Sequence, residues 1–150
     1  MKKLCNILLA IFFVSCTSKI ENPKEKESLL YTQKFVKNEF LVMALYLNPN
    51  YPEFTEENRD EIAFCIFPKT KISNAKIANI DAKISDLDPK IKLNFATKWS
   101  KCYKASVNSQ NLAVLKFSFN FSDNSLQHQV LLSFQKFSKS LYWNQKSLNK

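Results

Sequence analysis

Glycine is missing from all 150 residues of this chain. The P-loop, the dinucleotide fingerprint and the nucleophile elbow need glycine where backbone must approach a ligand or adopt positive φ. All three are therefore excluded. Turns must rely on Asn, Asp and Pro, and 15 Asn are available for them. Histidine occurs once, as His128, and arginine once, as Arg59, against 21 lysines. Arginine is the residue that forks onto phosphate or sulfate, so a basic surface here has to work through point charges. Long apolar runs are scarce too. Leu4–Val14 holds 11 residues, all apolar but Asn6, against the roughly 20 that a membrane-spanning helix needs.

That short run has a context. Met1-Lys2-Lys3 precedes it and Ser15 closes it, which is the plan of a secretory signal peptide. Cys16 follows at once. Phe13-Val14-Ser15-Cys16 resembles the lipobox of bacterial lipoproteins, with Phe where that family usually has Leu, as in the looser lipoboxes of spirochaetal lipoproteins. The resemblance implies a signal peptide over 1–15, cut before Cys16, and multiple acyl chains on Cys16 as the mature N-terminus. Cys5 would then have no mature role. The alternative is an ordinary signal peptide with an incidental cysteine. Thr17–Ser28 carries charges of both signs and one aliphatic residue, so it cannot bury enough surface to fold. Its 12 residues would form a tether reaching at most about 40 Å. The expected organisation is 1–15 signal peptide, 16–28 lipidated N-terminus and tether, and 29–150 one globular domain.

The precursor carries a net charge of +9. Without Lys2 and Lys3 the mature chain has 20 basic and 13 acidic residues, a balance of +7. Two readings compete for this excess: anionic partners, or the Lys, Asn, Ile and Phe bias of an AT-rich genome. The charge is segregated, however. Lys69 to Lys104 holds nine Lys against Asp81, Asp86 and Asp88, while Glu53 to Glu61 holds five acids and Arg59.

Alternation dominates the C-terminal half. Leu115, Phe117, Phe119 and Phe121 alternate with polar residues, Ser122–Ser125 reads as a turn, and His128, Val130, Leu132 and Phe134 resume the pattern, so a β-hairpin is expected. Lys90, Lys92 and Lys98 alternate with Ile91, Leu93, Phe95 and Trp99 and read as another strand. Ile62–Phe67 suits a central strand. Two stretches stay open between helix and strand, 28–47 and 72–88. The fold expected is mostly β, a small antiparallel β-sandwich with immunoglobulin-like packing, and the alternative is α+β with a helix near 28–47.

Few side chains suggest chemistry, and none is singled out as catalytic. His128 has the parity of the inward face, which suits a partly buried structural histidine better than a Cys–His nucleophile pair with Cys65 or Cys102. No ligand spacing points to a zinc site, and Asp81, Asp86 and Asp88 lack the pattern of a calcium loop. Glu53, Glu56, Glu57, Asp60 and Glu61 read as one solvated loop, with Tyr51 and Phe54 as exposed aromatics suited to binding. Asn120-Phe121-Ser122 matches a glycosylation acceptor of use only to a eukaryotic secretory protein. Cys65 and Cys102, an even pair in an exported chain, suggest a disulfide. Their parities conflict unless a bulge near Lys101 intervenes, and two separate thiols are the alternative.

Lys90, Lys92, Lys98 and Lys104 are the candidate ligand-binding residues, one basic ribbon for a linear polyanion. No cofactor, metal or nucleic acid is expected. The chain reads as a non-enzymatic envelope lipoprotein, attached to the outer membrane through the lipid on Cys16. Surface display and binding of a host protein or anionic polysaccharide is the leading role, and a periplasm-facing structural or assembly lipoprotein is the alternative.

Overall fold

The computed structural model describes Ser28 and residues 31–123 and 126–136. The signal segment, Cys16, the tether before Ser28, Asn124 and Ser125 of the expected hairpin turn, and the tail from Phe137 lie outside the described residues.

The described residues form a β-sandwich. Its strands are β1 (Gln33–Lys37), β2 (Phe40–Tyr46), β3 (Arg59–Phe67), β4 (Ile72–Ile77), β5 (Ile80–Asp81), β6 (Lys83–Asp86), β7 (Lys101–Asn108), β8 (Val114–Asp123) and β9 (Leu126–Gln135). One sheet has the order β1-β2-β3-β7-β6 and the other β5-β4-β8-β9, with every pairing antiparallel. A single helical turn, α1 (Leu47–Asn50), and a 3₁₀ turn at Pro52–Phe54 follow β2.

Side-chain alternation explains the stacking. On β8 and β9, Leu115, Phe117, Phe119, Phe121, Val130, Leu132 and Phe134 all point inward and are buried. Val42 and Ala44 of β2, and Ile62, Phe64 and Ile66 of β3, meet them from the first sheet. Phe64 is the hub, with ring centroids 5.0 Å from Phe117, 4.9 Å from Phe119 and 5.4 Å from Tyr103.

The helix considered for 28–47 is not formed. Leu41, Met43 and Leu45 face away from the sandwich, yet a second buried cluster receives Leu45 together with Leu47, Tyr51, Ala63, Cys65, Ile91 and Leu93. Covered on its outer face at Leu45 and half-covered at Leu41 and Met43, β2 is apolar at every position, and such a run has no period by which helix and strand differ. The 72–88 stretch is likewise three short strands. Its β4–β5 hairpin turns on Ala78 and Asn79, both at positive φ, so this two-residue turn needs no glycine. Asn38, Asn58 and Asn74 take positive φ as well.

The expected strand through Lys90–Trp99 is absent. Residues 87–100 form a cover segment made of successive turns: the amide of Ile91 donates to Asp88 O, that of Ala96 to Leu93 O, and that of Ser100 to Thr97 O. Ile91 and Leu93 are buried against the outer face of the first sheet while Lys90, Lys92 and Asn94 are exposed. The last turn reverses the pattern, so Trp99 points to solvent. The side of each residue up to Phe95 follows the alternation, but no neighbouring strand pairs with it.

Candidate functional site

Two acids expected in a solvated loop are in β3 and buried. Asp60 and Glu61 are 1% and 0% exposed. They continue the alternation of the apolar residues after them: Asp60 shares the inward face with Ile62, and Glu61 the outward face with Ala63. Asn48 of α1 fixes the start of the strand, its Nδ2 donating to Arg59 O at 2.6 Å and its Oδ1 accepting the Glu61 amide at 2.9 Å.

Each carboxylate is fully engaged. Asp60 accepts from the Tyr46 hydroxyl at 2.9 Å, the Gln110 amide at 2.9 Å and Lys136 Nζ at 3.0 Å. Burial and the Asp60 carboxylate push the Tyr46 phenol well above the ordinary tyrosine range. Glu61 accepts from Ser106 Oγ at 2.9 Å and lies 3.0 Å from Lys104 Nζ. Arg59 donates from Nε to Ser106 Oγ at 2.7 Å. Glu56, Arg59, Glu61, Lys83, Lys104 and Ser106 line a cavity of about 150 Å³. The arrangement binds strand ends together. Its signal in the sequence was the position of both acids just before an apolar strand.

The candidate lysines do not form one ribbon. Lys104 lies on β7 and is committed to Glu61, because the outward side of β7 at that point faces a buried acid. Lys90, Lys92 and Lys98 are exposed on the cover segment, and Lys98 Nζ lies 4.8 Å from the Trp99 ring centroid. Tyr51 is buried, against its reading as an exposed binding aromatic. It packs under the cover segment and donates from its hydroxyl to Lys92 O at 2.9 Å. Asp86 pairs with Lys101 at 3.7 Å and Asp81 with Lys76 at 3.6 Å, so these acids are apart.

Cys65 and Cys102 stand directly opposite each other on β3 and β7, joined by a bond of 2.05 Å. The register runs without a bulge from Lys101 to Asn108. Lys98 belongs to no strand, so its parity says nothing about Cys102. His128 is on the inner face of the other sheet, 7% exposed, with its ring 5.1 Å from Phe121. The disulfide is on the outer face of the first sheet, so the layers separate this histidine from both cysteines. Among the described residues no group of three His, Cys, Asp or Glu could hold a metal ion.

The cover segment leaves one corner open. Leu41, Met43, Cys65, Phe67, Phe95 and Trp99 line an apolar cavity of about 240 Å³ beside the disulfide. Nothing in the sequence patterning marked it, since its walls come from β2, β3 and the turns around Trp99.

No protein-family model matches the chain, and no curated protein matches it in sequence. Among solved structures, the GAE domain of GGA2p from Saccharomyces cerevisiae is similar, at 14% identity and a TM-score of 0.34, over 71% of this chain and 96% of that one. A likeness at that level carries no argument about fold or function.

Proposed function

We propose that this chain is a non-catalytic binding module of a bacterial cell envelope, exported and anchored to the outer membrane through lipid on Cys16. The observation that carries the binding reading is the commitment of the side chains best suited to chemistry. Asp60 and Glu61 are held by Lys136 and Lys104, Cys65 by Cys102, and His128 is packed against Phe121. The open features are instead an apolar cavity and exposed lysines on one segment. Anchoring is supported by the residues around Cys16. Among the described residues no helix is long and apolar enough to cross a membrane.

Surface display and a host or matrix partner remain part of the proposal, with Lys90, Lys92 and Lys98 as the basic contribution and Lys104 removed from it. Changing Cys16→Ala should abolish lipid labelling and release the protein from membranes. A variant that still partitions into detergent like the parent refutes the anchor. Protease shaving of intact cells should cut a displayed protein and spare one facing the periplasm. Retention on heparin at low salt, lost when Lys90, Lys92 and Lys98 become Gln, tests the polysaccharide partner.

A further inference from the structure

Val36, Leu41 and Phe67 stand side by side on the outer face of the first sheet, through the register pairs Val36↔Leu41 and Leu41↔Phe67. Val36 is 59% exposed and Phe67 41%, and Trp99, which shares a cavity wall with Leu41 and Phe67, is 62% exposed. Large apolar side chains in contact on a surface signal an interaction site in a way that scattered ones do not. Leu131 is the contrast. It is 61% exposed, but its register partner is Ser118 and its neighbours on that face are Gln129 and Ser133.

The rim of the patch is basic. Lys34 shares the outer face with Val36, Lys98 lies over Trp99, and Lys90 and Lys92 are exposed on the same segment. Acid is present as well: Asp86 pairs with Lys101, Asp88 is exposed beside Lys90, and Glu39 is exposed in the turn before Leu41. The acidic stretch Glu53–Glu61 leads into the opposite end of β3 from Phe67. Indole and phenyl rings flanked by Lys34 and Lys98 suit a membrane interface. Aromatic rings sit at headgroup depth, lysine stems lie along apolar surface while their ammonium groups reach outward, and anionic headgroups attract them.

The path of the chain points the same way. Ser28 is buried and its Oγ accepts from Asn94 Nδ2, at 3.5 Å, on the cover segment that carries Trp99. Ser28, the described residue nearest Cys16 in sequence, therefore stands on this side of the molecule. At about 3.3–3.6 Å per residue, the 12 residues of Thr17–Ser28 hold Ser28 within about 40 Å of Cys16.

We propose that this corner docks onto an anionic lipid bilayer, with Trp99 and Phe67 at headgroup depth and Lys34 and Lys98 against the headgroups. The proposal deepens the membrane-anchored reading and rests on it for the nearby bilayer, though not for the chemistry of the face.

The test uses the mature chain from residue 16 with Cys16→Ser, so that no lipid contributes, and with Trp143→Phe, so that Trp99 is the sole reporter. Equimolar phosphatidylcholine and phosphatidylglycerol vesicles should shift Trp99 emission to the blue, and lipids brominated near the headgroup should quench it. Pure phosphatidylcholine should do so more weakly. Each of Lys34→Gln and Lys98→Gln should weaken partitioning about fivefold, as expected for about 1 kcal/mol per lysine near an anionic surface. Phe67→Ser should weaken it further, and Leu131→Ser should leave it unchanged. An unaltered Trp99 spectrum on both kinds of vesicle overturns the proposal. So does an equal loss from Leu131→Ser, a response to heparin without one to vesicles, or a blue shift that grows with protein concentration alone, which would mark a contact between copies. Failure of the anchor is read separately: absence of lipid on Cys16 in cells removes the tether, while the vesicle result still decides the face.

Discussion

Ala78 sits at φ 52°, a left-handed position that asparagine fills at Asn38, Asn58, Asn74 and Asn79. Alanine has no side-chain amide to offset the crowding of its Cβ, which costs roughly 1–2 kcal/mol. Ala78→Gly should relieve that strain and give back part of it in chain entropy, for a net gain of about 0.5–1 kcal/mol. A thermal melt should show the midpoint rising, and an unchanged or lower midpoint would mean that the methyl's packing outweighs its strain. Tyr46 sets a different residue-scale expectation. Its pKa is raised in the folded state, so the fold favours the protonated phenol. That contribution is complete below the ordinary tyrosine value of about 10 and is lost as pH rises beyond it. Stability should therefore fall at alkaline pH, and Tyr46→Phe should remove part of that fall. The same change should cost about 1–2 kcal/mol at neutral pH, because buried Asp60 loses a donor. A parent and variant with parallel alkaline stability curves would refute it. Neither Asp60 nor Glu61 was legible as buried, since a dense run of acids resembles a solvated loop until their strand partners are known.

At the scale of elements, alternation reported sidedness well and partners poorly. The β8–β9 hairpin was legible because each strand has one buried face, so its Phe residues recur at period two. Strand β2 was not, because its second face, partly under the cover segment, is apolar too and erases the period. For residues 90–95 the inward and outward sides were right although no strand exists: Ile91 and Leu93 meet the outer face of the sheet while the chain proceeds by turns. The turn at Thr97–Ser100 then exposes Trp99, which the alternation places with the buried residues. Beneath that segment lies the disulfide. Its loop of 37 residues should contribute about 4 kcal/mol in the chain-entropy model. The chain from residue 16 with Cys16→Ser, in which Cys65 and Cys102 are the remaining cysteines, should show no free thiol when denatured without reductant. The double change Cys65→Ala, Cys102→Ala should lower stability by up to that amount and loosen the cover segment first, seen as faster amide exchange at Ile91 and Leu93. Two titratable thiols in the parent would refute the bond.

Over the whole molecule, the two outer faces differ in kind. One is covered by residues 87–100 and edged with lysine and tryptophan. The other presents Lys116, Ser118, Asn120, Gln127 and Gln129 from β8 and β9, a mainly polar face on which Val114 and Leu131 are separate hydrophobes. Burial by a bilayer is favourable for the first and unfavourable for the second, because amide and hydroxyl groups would lose water without gaining partners. Lysine labelling on anionic vesicles, of protein carrying the lipid proposed for Cys16, resolves the orientation. Lys98 and Lys34 should be protected from an amine-reactive reagent relative to the same protein in detergent, and Lys116 should react equally in both. High salt should erase much of the difference, since headgroup attraction acts over a Debye length of about 8 Å at physiological ionic strength and less above it. Lys98 as reactive on vesicles as in detergent would mean that neither face is preferred.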